Sequence, residues 1–445
     1  CCCLRSRSAT QQHQRQQSRM DPVKNPLEIN ELHHAVLAGS IERTLAVLAT
    51  GSVDIDQGDA GGVTPLIMAA IRGHSHVMQT LLKMGANVSL VADNGTTALH
   101  CCCRAGHATA AELLAGAGAD LEAIAPADGA TALHLAADSG HPQVVRALIT
   151  AGANPDSRLP DGVTPLFVAA QGGHLDAMRE LLRGKANPSL HQVHPDGYTS
   201  APLDVAARNG HSDVVRELVE EFGVDDCDAI HAGVSALALA ASNQHLDIMA
   251  ILTGAGVVDT GLALFVSAGF GLEASVKFLL RQRHKESNNS SVEVASINAQ
   301  DSSGYTPLLV CIMACLSQAP RIVRLLIDAG ADTTSPVRSM SSKGELEFNG
   351  TPLAATTSCL RNKRIADGKP ATKERLHRFE AIRRLLLRVE AVHAVSWLWP
   401  SDAPFIGRAT ETDQKPPLPP LRAELPILKR RTKGSGGFAS MLLRW

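Results

Sequence analysis

The chain has 445 residues, 44% of them hydrophobic yet only 3% aromatic, so its core must be built from Ala, Leu, Val and Ile, which suits stacked layers of small helices better than one thick globule. Ten cysteines fall in runs at 1–3 and 101–103 and as singles at Cys227, Cys311, Cys315 and Cys359, a spacing that excludes a disulfide-stapled secreted domain and fits a reducing compartment. The formal net charge of −2 hides an uneven distribution: residues 361–445 carry +10 and residues 1–20 carry +4, which leaves −16 on the body between them.

The leading CCCLRSRSATQQHQRQQSR is rich in Arg and Ser and holds no acid. It lacks the basic, apolar and small-residue order of a secretory signal, and Met20 stands before the run into the first helical phrase. Residues 1–29 are therefore expected to lie outside the folded body, with Met20 as the natural start.

A short phrase then recurs: TPLIMAAIRGH from Thr64, TALHCCCRAGH from Thr97, TALHLAADSGH from Thr131, TPLFVAAQGGH from Thr164, APLDVAARNGH from Ala201 and SALALAASNQH from Ser235. Its leucines, Leu66, Leu99, Leu133, Leu166, Leu203 and Leu237, are spaced by 33, 34, 33, 37 and 34 residues. Weaker copies at Leu32, Leu264, Leu308 and Leu353 bring the total to about ten. In each phrase a hydroxyl such as that of Thr64 or Thr164 is placed to cap a helix, and Pro65 or Pro165 occupies the first helical position, where a missing N–H costs nothing. Paired small residues such as Ala69–Ala70 and Ala136–Ala137 let neighbouring helices approach, and Gly73, Gly106, Gly140 and Gly210 are placed to end the helix in a left-handed conformation. A second helix follows, as in PQVVRALITAGAN, and ends at another glycine; Lys185 stands where Gly85, Gly118 and Gly152 stand, which predicts a redrawn helix end there.

This phrase, its period and the Gly-His pair that closes it resemble the ankyrin repeat family over roughly residues 30–390. The resemblance implies an all-α solenoid of helix-turn-helix units with short β-hairpin tips. The best units span 59–256; those over 257–390 are degenerate, with insertions near 284–294 and 361–377. In such arrays the two residues after the small pair, together with the hairpin tips, line the concave face. Carried over position by position, the implied partner-contact strip is Ile71 and Arg72, Arg104 and Ala105, Asp138 and Ser139, Gln171 and Gly172, Arg208 and Asn209, and Ser242 and Asn243.

Other groupings invite chemistry but read as structure. His100, Cys103 and His107 would share one face of a continuous helix, yet His134, Ala137 and His141 repeat the pattern without cysteine and Gly106 interrupts the helix, so packing is preferred to a metal site. The histidines that close the phrases, His74, His107, His141, His174, His211 and His245, are expected to make a repeated hydrogen bond between units. Cys311 and Cys315, four apart on a helix, lack the further ligands a metal needs, and Glu217, Glu220 and Glu221 are read as solvating an exposed helical face. None of the common phosphate, dinucleotide, hydrolase or zinc motifs is present, so no catalytic residue, metal or cofactor is assigned and no enzyme is expected. The apolar run TGLALFVSAGFGLEASVKFLL contains Glu273, Lys277, Gly269 and Gly271 and is predicted to be two packed helices rather than a membrane span.

Past residue 390 the repeat fades. Residues 391–400, with Trp397 and Trp399, are expected to cap the array, and 401–445 to form a Pro-rich, basic, disordered tail. Within the tail Pro417, Pro420 and Arg422 match a P-x-x-P-x-R docking pattern, although an extended spacer is the preferred reading, and Lys429–Lys433 is a short basic run. The whole reads as a protein interaction scaffold that binds one or more proteins through the concave face, its acidic body suggesting a partner of basic character. An adaptor that presents a client to a ubiquitin ligase or kinase docked on the tail, and a nuclear regulator that uses the basic tail, stay open as alternatives. No small-molecule substrate, nucleic acid or transmembrane segment is expected, and the expected location is cytoplasmic, with the nucleus as the alternative.

Overall fold

The computed structural model describes residues 30–126, 129–193, 199–221, 235–257, 261–286, 297–300, 304–334, 337–340, 346–362 and 372–398. They fall into two compact units, one of residues 30–267 with 274–286, the other of 268–273 with 297–398. The tail motif Pro417, Pro420 and Arg422, the basic run Lys429–Lys433 and the segment before residue 30 lie outside the described residues.

In the first unit, seven antiparallel helix pairs follow one another: α1 (Glu31–Leu37) and α2 (Ile41–Ala49), α3 (Pro65–Arg72) and α4 (Ser75–Lys83), α5 (Ala98–Ala105) and α6 (Ala108–Gly116), α7 (Ala132–Asp138) and α8 (Pro142–Thr150), α9 (Pro165–Gly172) and α10 (Leu175–Arg183), α11 (Pro202–Asn209) and α12 (Ser212–Arg216), α13 (Ala236–Ser242) and α14 (Leu246–Gly254). A π-helical turn, Glu217–Glu221, prolongs α12. First helices pack on first helices and second helices on second helices, so each row forms one layer. The run expected to be two helices is α15 (Leu262–Gly269) and α16 (Glu273–Glu286). Among the described residues, no helix is long and apolar enough to cross a membrane.

The helix starts follow from the capping chemistry. The hydroxyls of Thr64, Thr97, Thr164 and Ser235 accept the N–H three residues on, at 3.2–3.3 Å. Ala201 has no hydroxyl, and there the carboxylate of Asp204 reaches back to the Ala201 N–H at 2.8 Å. Between the rows the core is built of small and aliphatic side chains: Leu66, Leu133, Leu166, Leu203 and Leu237 are buried with the paired alanines beside them, and Leu99 with Cys102 and Cys103. Full burial of one such leucine stabilises the fold by about 1.5–3 kcal/mol, so the ruler seen in the sequence is also part of the core of each unit.

Between units the chain makes polar turns, some with antiparallel pairing: single bridges at Val91–Thr97 and Ala125–Ala130, and a hairpin of β1 (Gln192–Val193) with β2 (Thr199–Ser200). The second compact unit holds α17 (Pro307–Ala314) and α18 (Ala319–Asp328), an antiparallel hairpin of β3 (Val337–Met340) and β4 (Leu346–Gly350), then α19 (Pro352–Asn362) and α20 (Lys373–Leu398). Helix α20 begins inside the basic stretch read as an insertion and continues through the residues read as a cap. In its first turns Arg375 donates to the Ala314 carbonyl and Arg378 to that of Cys315 at 3.2 Å, so two cations close the C-terminal end of α17.

Candidate functional site

The closing histidines of the repeated phrases build a regular device. Nε2 of His74, His107, His141, His174, His211 and His245 donates to the carbonyls of Leu37, Ile71, Arg104, Asp138, Gln171 and Arg208 in the preceding unit, at 2.8–3.3 Å. Five of those six acceptors belong to the strip assigned to partner contact. The bond holds the strip's backbone while its side chains project beyond the helix ends. The preceding glycine is part of the device: Gly106 has φ +83°, and a Cβ added there would lie 2.7 Å from the His141 ring. A left-handed backbone and a ring stacked against it both demand glycine.

A second set of histidines clips in the opposite direction. His33, His100 and His134 direct Nε2 to the carbonyls of Val63, Ala123 and Val163 in the next unit, at 2.9–3.2 Å. At His100 the Thr97 N–H points at Nδ1, so Nδ1 accepts and Nε2 carries the proton. Burial holds both His100 and His134 below the ordinary imidazole value, which keeps them neutral.

The hairpin tips are tied to one another as well. Backbone N–H groups of Asn87, Asn154 and Asn187 donate to carboxylates of Asp56, Glu122 and Asp156 in the preceding tip, at 2.8–2.9 Å. Asp59 accepts from Gly61 and Val63 within its own turn. These four carboxylates thus hold turns in shape while keeping their charge.

These features, repeated in register, are matched by the family model "Ankyrin repeats (3 copies)" over residues 32–125, 121–192 and 203–290. The chain belongs to the ankyrin-repeat family. A probable palmitoyltransferase, AKR2 of Saccharomyces uvarum, is 38% identical over 78 residues, which make up 16% of this ankyrin-repeat chain and 11% of that protein. The chain thus matches only about a tenth of that relative's length. Among solved structures, the human ASB11 ankyrin repeat domain is 26% identical with a TM-score of 0.43, covering 50% of this chain and 98% of that one.

Along the first-helix row of the ankyrin array, every pair of the implied strip sits at a helix end. Ile71, Arg72, Ala105, Asp138, Gln171, Gly172, Asn209 and Asn243 are exposed; Arg104, Ser139, Arg208 and Ser242 are partly covered. The strip holds three arginines against one aspartate, opposite in sign to the body as a whole.

The other groupings resolve into structure. Gly106 ends α5, and His100 and His107 direct their rings to carbonyls in opposite neighbouring units, so the two histidines do not converge on Cys103. Cys102 and Cys103 are fully buried, and the Cys102 thiol donates to the Leu99 carbonyl at 3.3 Å. Burial pushes the Cys101 thiol up to about 11 and that of Cys103 well above its usual range, so these two thiols stay protonated near neutral pH. Cys315 lies beyond the end of α17 at φ +43°, not on the helix with Cys311 as the spacing suggested; their thiols turn to the carbonyls of Arg375 and Ala319 respectively. No group of three His, Cys, Asp or Glu side chains among the described residues is arranged to hold a metal ion.

Two further expectations are corrected. Lys185 does not redraw its helix end: it takes φ +66°, and Ala186 N–H still bonds the Leu181 carbonyl at 3.0 Å, as Ala86 does to Leu81. Glu217 does not solvate an open face. Its carboxylate is clamped by the Arg179 guanidinium at 2.6 and 2.8 Å, and Glu180 is held in the same way by Arg146 at 2.8 and 3.0 Å, with Arg183 added at 2.6 Å. The clamps of Arg179 and Arg146 cross from one second helix to the next, and their hydrogen bonds hold both carboxyls below the usual carboxylate range.

Proposed function

We propose that this ankyrin array is a protein-binding scaffold without chemistry of its own, contacting its partner through the first-helix ends and the hairpins that lead into them. Ankyrin repeats generally mediate protein–protein interaction, and one observation supports the finer reading: the strip's backbone is pinned by the histidine bonds while its side chains differ from unit to unit. A surface whose shape is already set loses little conformational freedom on binding, so modest contacts suffice for affinity. The protonated thiols of Cys101 and Cys103 support a packing rather than a catalytic role for that cluster.

The test is capture from native cells with the full chain, beside a variant with Arg72, Arg104, Asp138, Gln171, Arg208 and Asn243 all changed to Ala. Proteins retained by the first and reduced at least tenfold by the second, with helical circular dichroism unchanged, fit the strip. Equal capture by both would sink it.

A further inference from the structure

The turns leading into α3, α5, α7 and α9, residues 51–63, 84–96, 117–130 and 151–163, hold nine acids and one cation, Arg158, a net −8. Half of the −16 of the body is thus gathered in four turns. A carboxylate that accepts a backbone N–H keeps its charge, and Asp54, Asp93, Asp120 and Asp161 are exposed.

The same turns carry apolar side chains in register. Asp59, Ala92, Ala125 and Leu159 each donate N–H to the carbonyl just before a helix cap, at 2.9–3.1 Å. Side chains alternate about that bond: Ala92 and Ala125 are buried, while Val91 and Ile124, one residue earlier, are 52% and 62% exposed. Val193 of β1 is 55% exposed. Successive turns abut. Asp93 N–H donates to the Gly61 carbonyl at 2.9 Å, a Cβ added to Gly95 would strike the Pro126 ring, Asn154 N–H reaches Glu122 at 2.8 Å, and Val193 N–H reaches the Asp161 carbonyl at 2.9 Å. The exposed aliphatics and carboxylates therefore lie along one unbroken edge of joined turns.

We propose that this edge takes an extended, basic-and-apolar segment of a partner protein. The inference rests on the scaffold reading, names its ligand chemistry and places it at the turns. Aliphatic side chains of the segment cover Val91, Ile124 and Val193, and its cations meet Asp93, Asp120 and Asp161. Neither half suffices: exposed ion pairs add little by themselves, and aliphatic cover alone does not choose between partners. Packed helices lie about 8–10 Å apart and an extended chain advances about 3.3 Å per residue, so the segment offers an apolar side chain to each turn at roughly every third residue.

The probe is a fluorescein-labelled peptide of four Leu-Lys-Ser triplets closed by Leu, beside one with Glu for each Lys and one with Ser for each Leu. Fluorescence anisotropy with the full chain is expected to show binding of the first and at least tenfold weaker binding of the other two. In D93N/D120N/D161N the side-chain oxygens that serve the turns at 120 and 161 remain as acceptors while the charge is gone. That variant and V91T/I124T/V193T each lower affinity at least tenfold with circular dichroism unchanged, whereas D176N/D213N/D247N, on exposed second-helix positions, leaves it unchanged. Equal binding of the Lys and Glu peptides, equal binding of the leucine-free peptide, or an equal loss in D176N/D213N/D247N overturns the proposal. So does a tenfold gain in K429E/R430E/R431E/K433E, which would assign the edge to the chain's own basic run. If no peptide binds while the six-alanine variant still loses its captured protein, the ligand chemistry is wrong and the scaffold reading stands.

Discussion

At the scale of single residues, the clearest tension is Lys185, an L-residue held at φ +66° where the equivalent helix ends use glycine. A side chain in that conformation costs about 1–2 kcal/mol, offset in part by the chain freedom a glycine loses on folding. Lys185→Gly is therefore expected to stabilise the array by about 0.5–1 kcal/mol, read as a higher midpoint in urea; a lower midpoint would show that the lysine makes a contact worth more than the strain. Gly106→Ala should act in the opposite sense and more strongly, because the added Cβ meets both a positive φ and the ring of His141. Cys102→Ala with Cys103→Ala should leave capture of the partner protein untouched, since both thiols are sealed in the core. A change in binding, or zinc-dependent protection of the native chain alone, would refute the packing role.

Between helices, two sets of groups tie stability to pH. Burial keeps His100 and His134 below their ordinary value of 6.5, so as pH falls below that value the unfolded imidazoles take protons that the folded ones refuse. Their contribution is complete above pH 6.5 and fades below it. Glu180 and Glu217, held down from 4.5 by their arginines, contribute fully above pH 4.5 and fade as pH falls further. Thermal midpoints against pH should thus fall in two stages, and H100N/H134N should remove the upper one. Glu180→Gln should lower stability by about 1 kcal/mol near neutrality, because its two arginines lie at the surface and are screened there. The helix pairs themselves were legible in the repeated phrase, since capping hydroxyl, small pair and terminal glycine are local signals. The clamp on Glu217 was not, because its arginine lies 38 residues away and nothing in the phrase marks the pair. The closure of α17 by Arg375 and Arg378 escaped for the same reason: about sixty residues separate donor from acceptor, and the donors read as a polar insertion.

For the molecule as a whole, contacts run mainly between neighbours, so stability should be graded along the array rather than shared evenly. Among the described residues the α1–α2 pair packs on the α3–α4 pair, and Ile41 and Leu45 of α2 are exposed. Amide hydrogen exchange should be fastest in residues 31–49 and slowest around 98–183, where histidines clip each unit to both neighbours; uniform protection would contradict this. The histidine bonds also bear on how such a surface changes over generations. Five of the six bonds use the main-chain oxygen of a strip residue and ask nothing of its side chain. Apart from Gly172, where a Cβ would meet the His174 ring, substitutions along the strip can therefore accumulate with little penalty to folding, and a lineage could exchange one partner for another while the frame beneath stays the same.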